Sequence, residues 1–482
     1  MACAAILSFE EFCDTQRCAE IRQRLHDRLD QWLNKLEARV QDPTPTLEQL
    51  TQAVFALRQE LTQEVTEGLV EQAHRAVMEQ RTATCPQCGQ TLSARGPQHR
   101  TVETLVGAIR LRRPYFYCER CCRGTTPLDE ALQVTERRKQ PDVQKAAVQL
   151  TKELPYETAC ALFEELTGLP LSAHTAHEVT QSVAHGLTVL DVAPSREEIV
   201  AKIAAMAEGQ PWRPILVLAI DGAAVPTRPE TAKGRRPGRK NARAKRARWT
   251  GEWREAKGFR FYLLADDRMV QVLSWHQVQT DAEAAEALRQ VKAAGLIPEQ
   301  QVRLCVLADG APWIWKQARA LFPSAVEILD YYHCSEHLHK VAAIQYGAHP
   351  ERQQQWYEAA LARLFYGEVH GVIWGLQRMK PTDTQAAEEI DKLVRYLQRH
   401  QERLDYRFAR KGGYPVGSGG IESANKFICH VRLKRSGAWW YVTNANQMLA
   451  LRCAKYNGTF DGLFDRSRQR IPKKAEQTPP KK

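Results

Sequence analysis

Two short apolar runs constrain this chain most: PILVLAID, ending at Asp221, and RLCVLADG, reaching Asp309. A half-exposed strand alternates apolar and polar residues, so unbroken runs rich in β-branched residues are expected where a strand is covered on both faces. Each run therefore predicts a buried strand that delivers a carboxylate at its carboxyl end. Between them, FRFYLLAD (259–266) and MVQVLSW (269–275) read as two strands joined by a tight turn, giving an antiparallel meander with the first. A helix is expected from Asp281 to Ala294, another beginning near Pro312, and AVEILD reads as a strand ending at Asp330. The order is βββαβαβ. A helical stretch from Tyr331 to Lys411 then interrupts it, and GSGGIESANKFI supplies a glycine-rich turn running into a helix that carries Glu422.

At 482 residues the chain exceeds the usual size of one domain, so several packed units are expected. Apolar residues at 43% and charged residues at 26% argue against wholesale disorder. A formal net charge of +12 favours polyanionic partners, either nucleic acid or an anionic membrane. No apolar run approaches the roughly 18 residues that span a bilayer. The amino terminus, MACAAILSFEEFCD, carries acids where a signal peptide carries Lys or Arg, so the expectation is a cytoplasmic protein with no membrane partner. Thirteen cysteines are an odd number, and nine are scattered without pairing logic, which suits reduced thiols.

The other four are Cys85, Cys88, Cys118 and Cys121, in the knuckles CPQC and CERC, joined by a segment of strand-like alternation. Two such knuckles offer four thiolates to one tetrahedral Zn²⁺, so a structural zinc ribbon is expected. The 29 residues between Cys88 and Cys118 exceed the commonest ribbon spacing, and Cys122 competes with Cys121 for the last place. Upstream, Leu25, Leu29, Trp32, Leu33 and Leu36 recur at helical spacing, and Pro43 and Pro45 break the stretch into two amphipathic helices. Their apolar stripe packs within its own domain or serves self-association. Downstream, ETACALFEELTGLPLSAHTAHEVTQSV gives a helix, a turn at Gly168, and a second helix started by Ser172 or His174. This pattern suits a helix-turn-helix with its second helix in a major groove, and also occurs in plain bundles.

The expected organisation is thus a helical region at 1–82, a zinc ribbon at 83–138, a helix-turn-helix DNA-binding region at 139–195, an α/β domain at 205–455 with a helical insertion at about 335–411, and a basic flexible tail at 456–482.

Acids on the first strand, at the end of the fourth strand and on a late helix resemble the arrangement in the RNase H-like domain of DDE transposases. The phrases DGAAVPTR, VLADGAPWIW, DYYHCSEHL and GSGGIESANK resemble those of bacterial insertion-sequence transposases of the ISKra type, and the likeness extends over most of the chain. The resemblance implies an enzyme that cuts and joins DNA at element ends. Asp221, Asp309 and Glu422 would be its three metal-binding acids, and Asp330 and His333 would match an Asp-x-x-His motif in a supporting role. It also implies double-stranded DNA at element ends and at the target as partners, and a homodimer or higher homo-oligomer on that DNA.

The chemistry of three carboxylates agrees with that implication. Phosphodiester transfer builds charge on the attacking and the leaving oxygen, and two hard cations about 3.5–4 Å apart stabilise both. Asp and Glu offer hard oxygen ligands to Mg²⁺ or Mn²⁺ while leaving positions for water and phosphate. His337 and His339 extend the histidine cluster at His333, and for them an ordinary helix-face position is equally expected. For DNA contact, KGRRPGRKNARAKRAR holds nine cations and no acid: Lys233, Arg235, Arg236, Arg239, Lys240, Arg243, Lys245, Arg246 and Arg248. Such a run neutralises phosphates without reading sequence. After Glu422 come Lys426, Arg432, Lys434 and Arg435 with Trp439 and Trp440, a mixture suited to partly unstacked strands, although large aromatics more often fill cores. Two other functions fit the same chain: an RNase H-like nuclease without strand transfer, and a non-catalytic DNA-binding regulator.

Overall fold

A computed structural model of the chain describes residues 17–229, 250–265 and 268–463. The basic run from Lys233 to Arg248 and the tail beyond 463 lie outside the described residues. The chain folds as two compact units, residues 1–180 and 181–482.

The first unit opens with a helical hairpin, α1 (Arg17–Arg39) and α2 (Leu47–Met78). The turn at Pro43 and Pro45 ends at Thr46, which caps α2 in a reciprocal capping box with Gln49. Ion pairs Arg24–Glu71 at 2.6 Å and Arg28–Glu64 at 3.3 Å, with Lys35–Glu60 beyond them, run in opposite directions along the two helices and mark them as antiparallel. Trp32 turns inward and donates from Nε1 to the Leu57 carbonyl at 2.9 Å. Leu29, Leu33, Leu50, Val54 and Phe55 remain exposed, so packing within the chain uses only part of the apolar stripe.

Next comes an antiparallel sheet in the order β1 (Thr82–Thr84), β2 (Thr91–Thr104), β3 (Gly107–Cys118), β4 (Arg123–Thr125). The two cysteine knuckles are the turns β1–β2 and β3–β4. The long gap between them is the β2–β3 hairpin, whose far end forms a second small core of Val102, Ile109 and Leu111 against Val70, Leu132 and Val134. A short helix α3 (Pro127–Ala131) leads to three helices, α4 (Pro141–Thr151), α5 (Tyr156–Thr167) and α6 (Ala173–Ala184). Gly168 stops α5 in the left-handed region at φ 70°, and the Ser172 hydroxyl accepts from the Thr175 N–H to start α6. Val143, Ala147, Cys160, Phe163, Leu171 and Ala176 make the core that joins them.

In the second unit, α7 (Val189–Val192) and α8 (Arg196–Ala207) precede a five-stranded sheet of β5 (Ile215–Thr227), β6 (Glu252–Ala265), β7 (Arg268–Val278), β8 (Arg303–Ala308) and β9 (Val326–Leu329), in the spatial order β7-β6-β5-β8-β9. The first three strands are an antiparallel meander, and β8 and β9 run parallel to β5. Crossover helices α9 (Asp281–Ala293) and α10 (Pro312–Leu321) connect β7 to β8 and β8 to β9. Residues 215–220 of β5 and 304–308 of β8 are buried on both faces, as their unbroken apolar runs require. Strand β6 extends further than its apolar run, residues 252–258 continuing the antiparallel ladder with 221–227 of β5 and 252–255 lying exposed, whereas β7 runs on to Val278 and stays buried.

Five helices follow: α11 (Tyr331–Tyr346), α12 (Pro350–Phe365), α13 (Val369–Gln377), α14 (Thr384–His400) and α15 (Tyr406–Lys411). The chain then returns to the sheet in a continuous helical stretch made of α16 (Gly419–Ala424), a π-helical turn (Asn425–His430) and α17 (Val431–Leu433), and ends with α18 (Val442–Asn457) against β7. No helix among the described residues is long and apolar enough to cross a membrane.

Candidate functional site

The pairing of the three parallel strands places their acids side by side. In the β5–β8 ladder Ile220 is level with Ala308, and in the β8–β9 ladder Ala308 is level with Leu329. Asp221, Asp309 and Asp330 are the next residue on each strand, so they stand in a line across the carboxyl edge. Neighbouring strands lie about 4.8 Å apart, which sets the spacing of the line. The Asp330 N–H donates to the Ala308 carbonyl at 2.8 Å and carries the ladder to this level.

Glu422 arrives from the far side of the helical region. The Tyr331 N–H donates to the Val416 carbonyl at 2.9 Å, seating the returning chain on the end of β9. Ser418 hydrogen-bonds Asp330 and places its hydroxyl 2.8 Å from Glu422 Oε1. Asp330 also caps α11, accepting from the Tyr332 N–H at 3.0 Å. This carboxylate is buried, and burial raises its pKa against the hydrogen bonds from Ser418 and Tyr332. It acts as a buried clasp between strand, helix cap and the turn before Glu422.

Burial, followed by the charges of Asp309, Glu255 and Glu422, pushes the Asp221 carboxyl up to about 6. Asp221 thus lies close enough to Asp309 and Glu422 to feel their charge. Glu255, on β6 and paired with Lys257 at 2.6 Å, is a fourth acid in the group. Periodicity gave no reason to single it out, since it lies in the exposed first part of β6. Gly222 keeps this corner open, because a Cβ there would meet the Glu255 carboxylate at 2.0 Å.

The histidines divide. His333 is half-buried one helical turn after Asp330, with its ring 4.9 Å from that of His337. His337 packs 4.6 Å from Tyr396, and burial lowers its pKa. His339 is exposed against Tyr357, away from the strand ends. Tyr396 of α14 lies over Gly310, where a Cβ would meet its ring at 2.5 Å, so the helical insertion closes on the turn after Asp309.

Asn425 and His276 were not distinguished by any pattern in the sequence. Asn425 Nδ2 donates to Asp221 Oδ2 at 2.8 Å, and its Oδ1 lies 3.1 Å from His276 Nε2. Asn425 opens the π-helical turn one turn after Glu422. Such turns inside helices occur frequently at functional sites.

Of the cations after Glu422, Lys426, Lys434 and Arg435 are exposed, whereas Arg432 is 3% exposed with its guanidinium 4.9 Å from the Trp440 ring. Arg432 is therefore placed to hold the core rather than to meet solvent. Trp440 is half-buried and donates to the Leu433 carbonyl at 3.1 Å, while Trp439 is 37% exposed and meets Trp253 edge to face at 6.2 Å. This segment grips both roots of the basic run: the Arg228 N–H donates to the Trp440 carbonyl at 2.8 Å, and Trp439 packs directly on Gly251. Arg235, Arg236, Arg239, Lys240, Arg243, Lys245, Arg246 and Arg248 themselves fall outside the described residues.

The four cysteines form a second centre. Cys85 and Cys121 sulfurs are 3.9 Å apart, Cys88 and Cys118 sulfurs 3.6 Å, and all four lie within 4.8 Å of one another. A tetrahedron of sulfurs about 2.3 Å from a central zinc has edges of about 3.8 Å, so the donor set fits Zn²⁺. Backbone N–H groups of Gln87 and Cys88 pull the Cys85 thiol down to about 6, whereas hydrogen bonding with Cys88 holds Cys121 up at about 12. Cys122 is exposed and lies outside the cluster, which resolves its competition with Cys121. Among the described residues this is the one group of three or more His, Cys, Asp or Glu ligand atoms drawn so closely together.

No family model and no curated protein sequence matches this chain. Among solved structures, the Drosophila P element transposase strand transfer complex is similar at 10% identity, over 71% of this chain and 84% of that chain, with a TM-score of 0.25. A likeness of that strength carries no argument about fold or function.

Two outcomes follow from this geometry. Replacing Cys85 and Cys88 together by Ser should remove about one zinc per chain by elemental analysis and loosen the first unit; unchanged zinc would exclude the ribbon as its site. In metal-free buffer, Asp221→Asn should stabilise the protein by about 3 kcal/mol above pH 6, because the wild-type carboxylate ionises there against burial and like charge. Since the folded pKa is raised, the wild-type penalty is absent at low pH and grows as pH rises through about 4 to 6. Thermal melts of the two proteins should therefore converge in acid, and an equal gap at all pH values would refute the assignment.

Proposed function

We propose that this chain is a metal-dependent DNA transposase of the DDE type, in which an RNase H-like domain cuts and joins phosphodiesters with two Mg²⁺ or Mn²⁺ ions held by Asp221, Asp309 and Glu422. The observation that carries the reading is the line of strand-end acids at the edge of a sheet ordered β7-β6-β5-β8-β9, with a late helix adding Glu422 to the charges felt by Asp221. The succession βββαβαβ, with acids at its strand ends and on a late helix, is the order on which the resemblance rests. Burial with repulsion is unfavourable in the bare protein and becomes favourable when a hard cation neutralises the group.

When bound, the cations supply an activated water or DNA 3′-hydroxyl and stabilise the leaving oxygen. The chain's own residues do the positioning. The β5–β8 ladder holds Asp221 and Asp309 level, Ser418 orients Glu422, and Asp330 ties Ser418 to the strand end. His333, one turn along α11, is the nearby hydrogen-bonding side chain for a phosphate or a ligand carboxylate.

DNA contact is assigned to the basic run at 233–248 and to the exposed Lys426, Lys434 and Arg435. Lys434 lies 5.5 Å from the Trp253 ring, beside Trp439, where cation and aromatic surface adjoin the roots of the basic run. The helix pair α5 and α6 is assigned to recognition of element ends. Since α6 contains no Lys or Arg, affinity there must come from neighbouring cations, and α6 would contribute hydrogen bonds from Ser172, His174 and Thr175. Two element ends must be handled together, so we assign self-association to the protein, with the exposed stripe on the α1–α2 hairpin as its surface. A cytoplasmic location fits reduced cysteines in this role.

The decisive experiment is cleavage of labelled DNA carrying the flanks of the gene's own locus, with Mg²⁺ or Mn²⁺. Wild-type protein should nick and join at the ends, and Asp221→Asn, Asp309→Asn and Glu422→Gln should each reduce cleavage by a factor of about 10²–10³, the scale of removing one transition-state charge partner, while DNA binding persists. Cleavage without joining would favour the nuclease. Binding without cleavage under every metal would favour the regulator and make the acids structural. Replacing the nine cations of 233–248 by Ala should weaken binding to all sequences alike and flatten its dependence on salt; a loss confined to element ends would instead give that segment a role in recognition.

A further inference from the structure

Asp221, Gly258 and His276 occupy one row across three strands, because Gly258 is the register partner of Asp221 on one side and of His276 on the other. Directly opposed residues share a face of the sheet. The side chains of Asp221 and His276 therefore rise from the same face two strand spacings apart, about 10 Å, too far for a hydrogen bond. Gly258 leaves the space between them free. A Cβ there would lie 2.0 Å from His276 Cδ2, so the imidazole leans over the glycine toward Asp221. Asn425, coming down from the π-helical turn, closes the gap with the hydrogen bonds to Asp221 and His276 already given.

The polarity of this chain of contacts is fixed by valence. A carboxylate only accepts, so Asn425 must present Nδ2 to Asp221, and its Oδ1 then faces His276. His276 must in turn donate from Nε2. Burial keeps the imidazole neutral by lowering its pKa to about 3, so Nδ1 is the bare nitrogen, and Nδ1 has no hydrogen-bond partner. Asn425 is 5% exposed and His276 fully buried, so neither can exchange these bonds for water.

We infer that Asn425 and His276 are positioning residues for Asp221, the histidine fixing the amide orientation of the asparagine so that the asparagine restrains one carboxylate oxygen and leaves the other for a divalent cation. The inference rests on the proposal that Asp221 is a metal ligand. Groups behind metal-binding side chains orient them, and their loss typically weakens metal binding by about 10- to 100-fold. A polar contact retained only for packing would leave metal affinity unchanged.

The test is titration of the full chain with Mn²⁺, without DNA, followed by electron paramagnetic resonance. Wild-type binding should be lost in Asp309→Asn. Asn425→Ala should weaken it by about 10- to 100-fold, and His276→Ala should weaken it in the same direction. His276→Gln, which keeps a donor where Nε2 stands, should recover most of the loss. Binding that requires Asp309 but is unchanged in Asn425→Ala overturns this inference alone. Wild-type binding indifferent to Asp309→Asn overturns the metal assignment, and the inference falls with it. If His276→Ala does not fold, His276→Leu, which removes the Nε2 donor and keeps the bulk, takes its place: weakened Mn²⁺ binding is expected, and binding equal to wild type removes His276 from the role.

Discussion

The parallel ladder between β5 and β8 is the constraint from which the rest of the second unit follows. Its register makes Ile220 level with Ala308, and so makes Asp221 level with Asp309. A slip of one residue would send one of the two acids to the opposite face of the sheet. The register is secured by burial, because a slip would exchange the two packed faces of both apolar runs. Burying each Ile, Leu or Val of these strands contributes on the order of 1.5–3 kcal/mol, so the positions of the acids inherit the strength of the core beneath them. The short ladder to β9 extends the same level to Asp330, and Asp330 secures the turn that brings back Glu422.

That security has an electrostatic cost, concentrated at Asp221. Its carboxyl sits where burial and three acids oppose ionisation, with the Gly222 N–H acting the other way and the Asn425 amide hydrogen-bonded to one of its oxygens. The glycines of this region have specific spatial reasons. Gly222 clears Glu255, Gly258 clears the His276 ring, and Gly310 clears Tyr396. Each lies where a side chain from another element crosses the backbone of the sheet, so a methyl group at any of them would move a residue that borders the acids.

The first unit solves a different problem, that of small cores. The sulfur cluster has only Ala83, Leu92 and Phe116 around it, too little apolar surface to stabilise four strands unaided. A zinc ion at the sulfurs would supply the missing cross-link. The unusual distance between the knuckles reflects the second core at the tip of the β2–β3 hairpin, which joins the ribbon to α2 and to the segment after α3.

Several features were legible in the sequence because they depend on local pattern. Unbroken apolar runs marked the doubly covered strands, prolines and Gly168 marked helix ends, and the spacing within each Cys-x-x-Cys marked a knuckle. The acids at Asp221 and Asp309 were visible because each ends such a run, and Glu422 because a glycine-rich turn precedes it and the surrounding phrases resemble a known family. What tertiary structure alone decided is which distant residues share a row or a corner. Glu255 joins the acids only through strand register, Arg432 lies buried beside Trp440 although the nearby cations Lys434 and Arg435 are exposed, and Asn425 and His276 meet only because Gly258 leaves room between two strands. Periodicity reports which face a side chain takes. Contacts between residues as far apart in sequence as 276 and 425 depend on register and on the return path of the chain, and no local pattern encodes either.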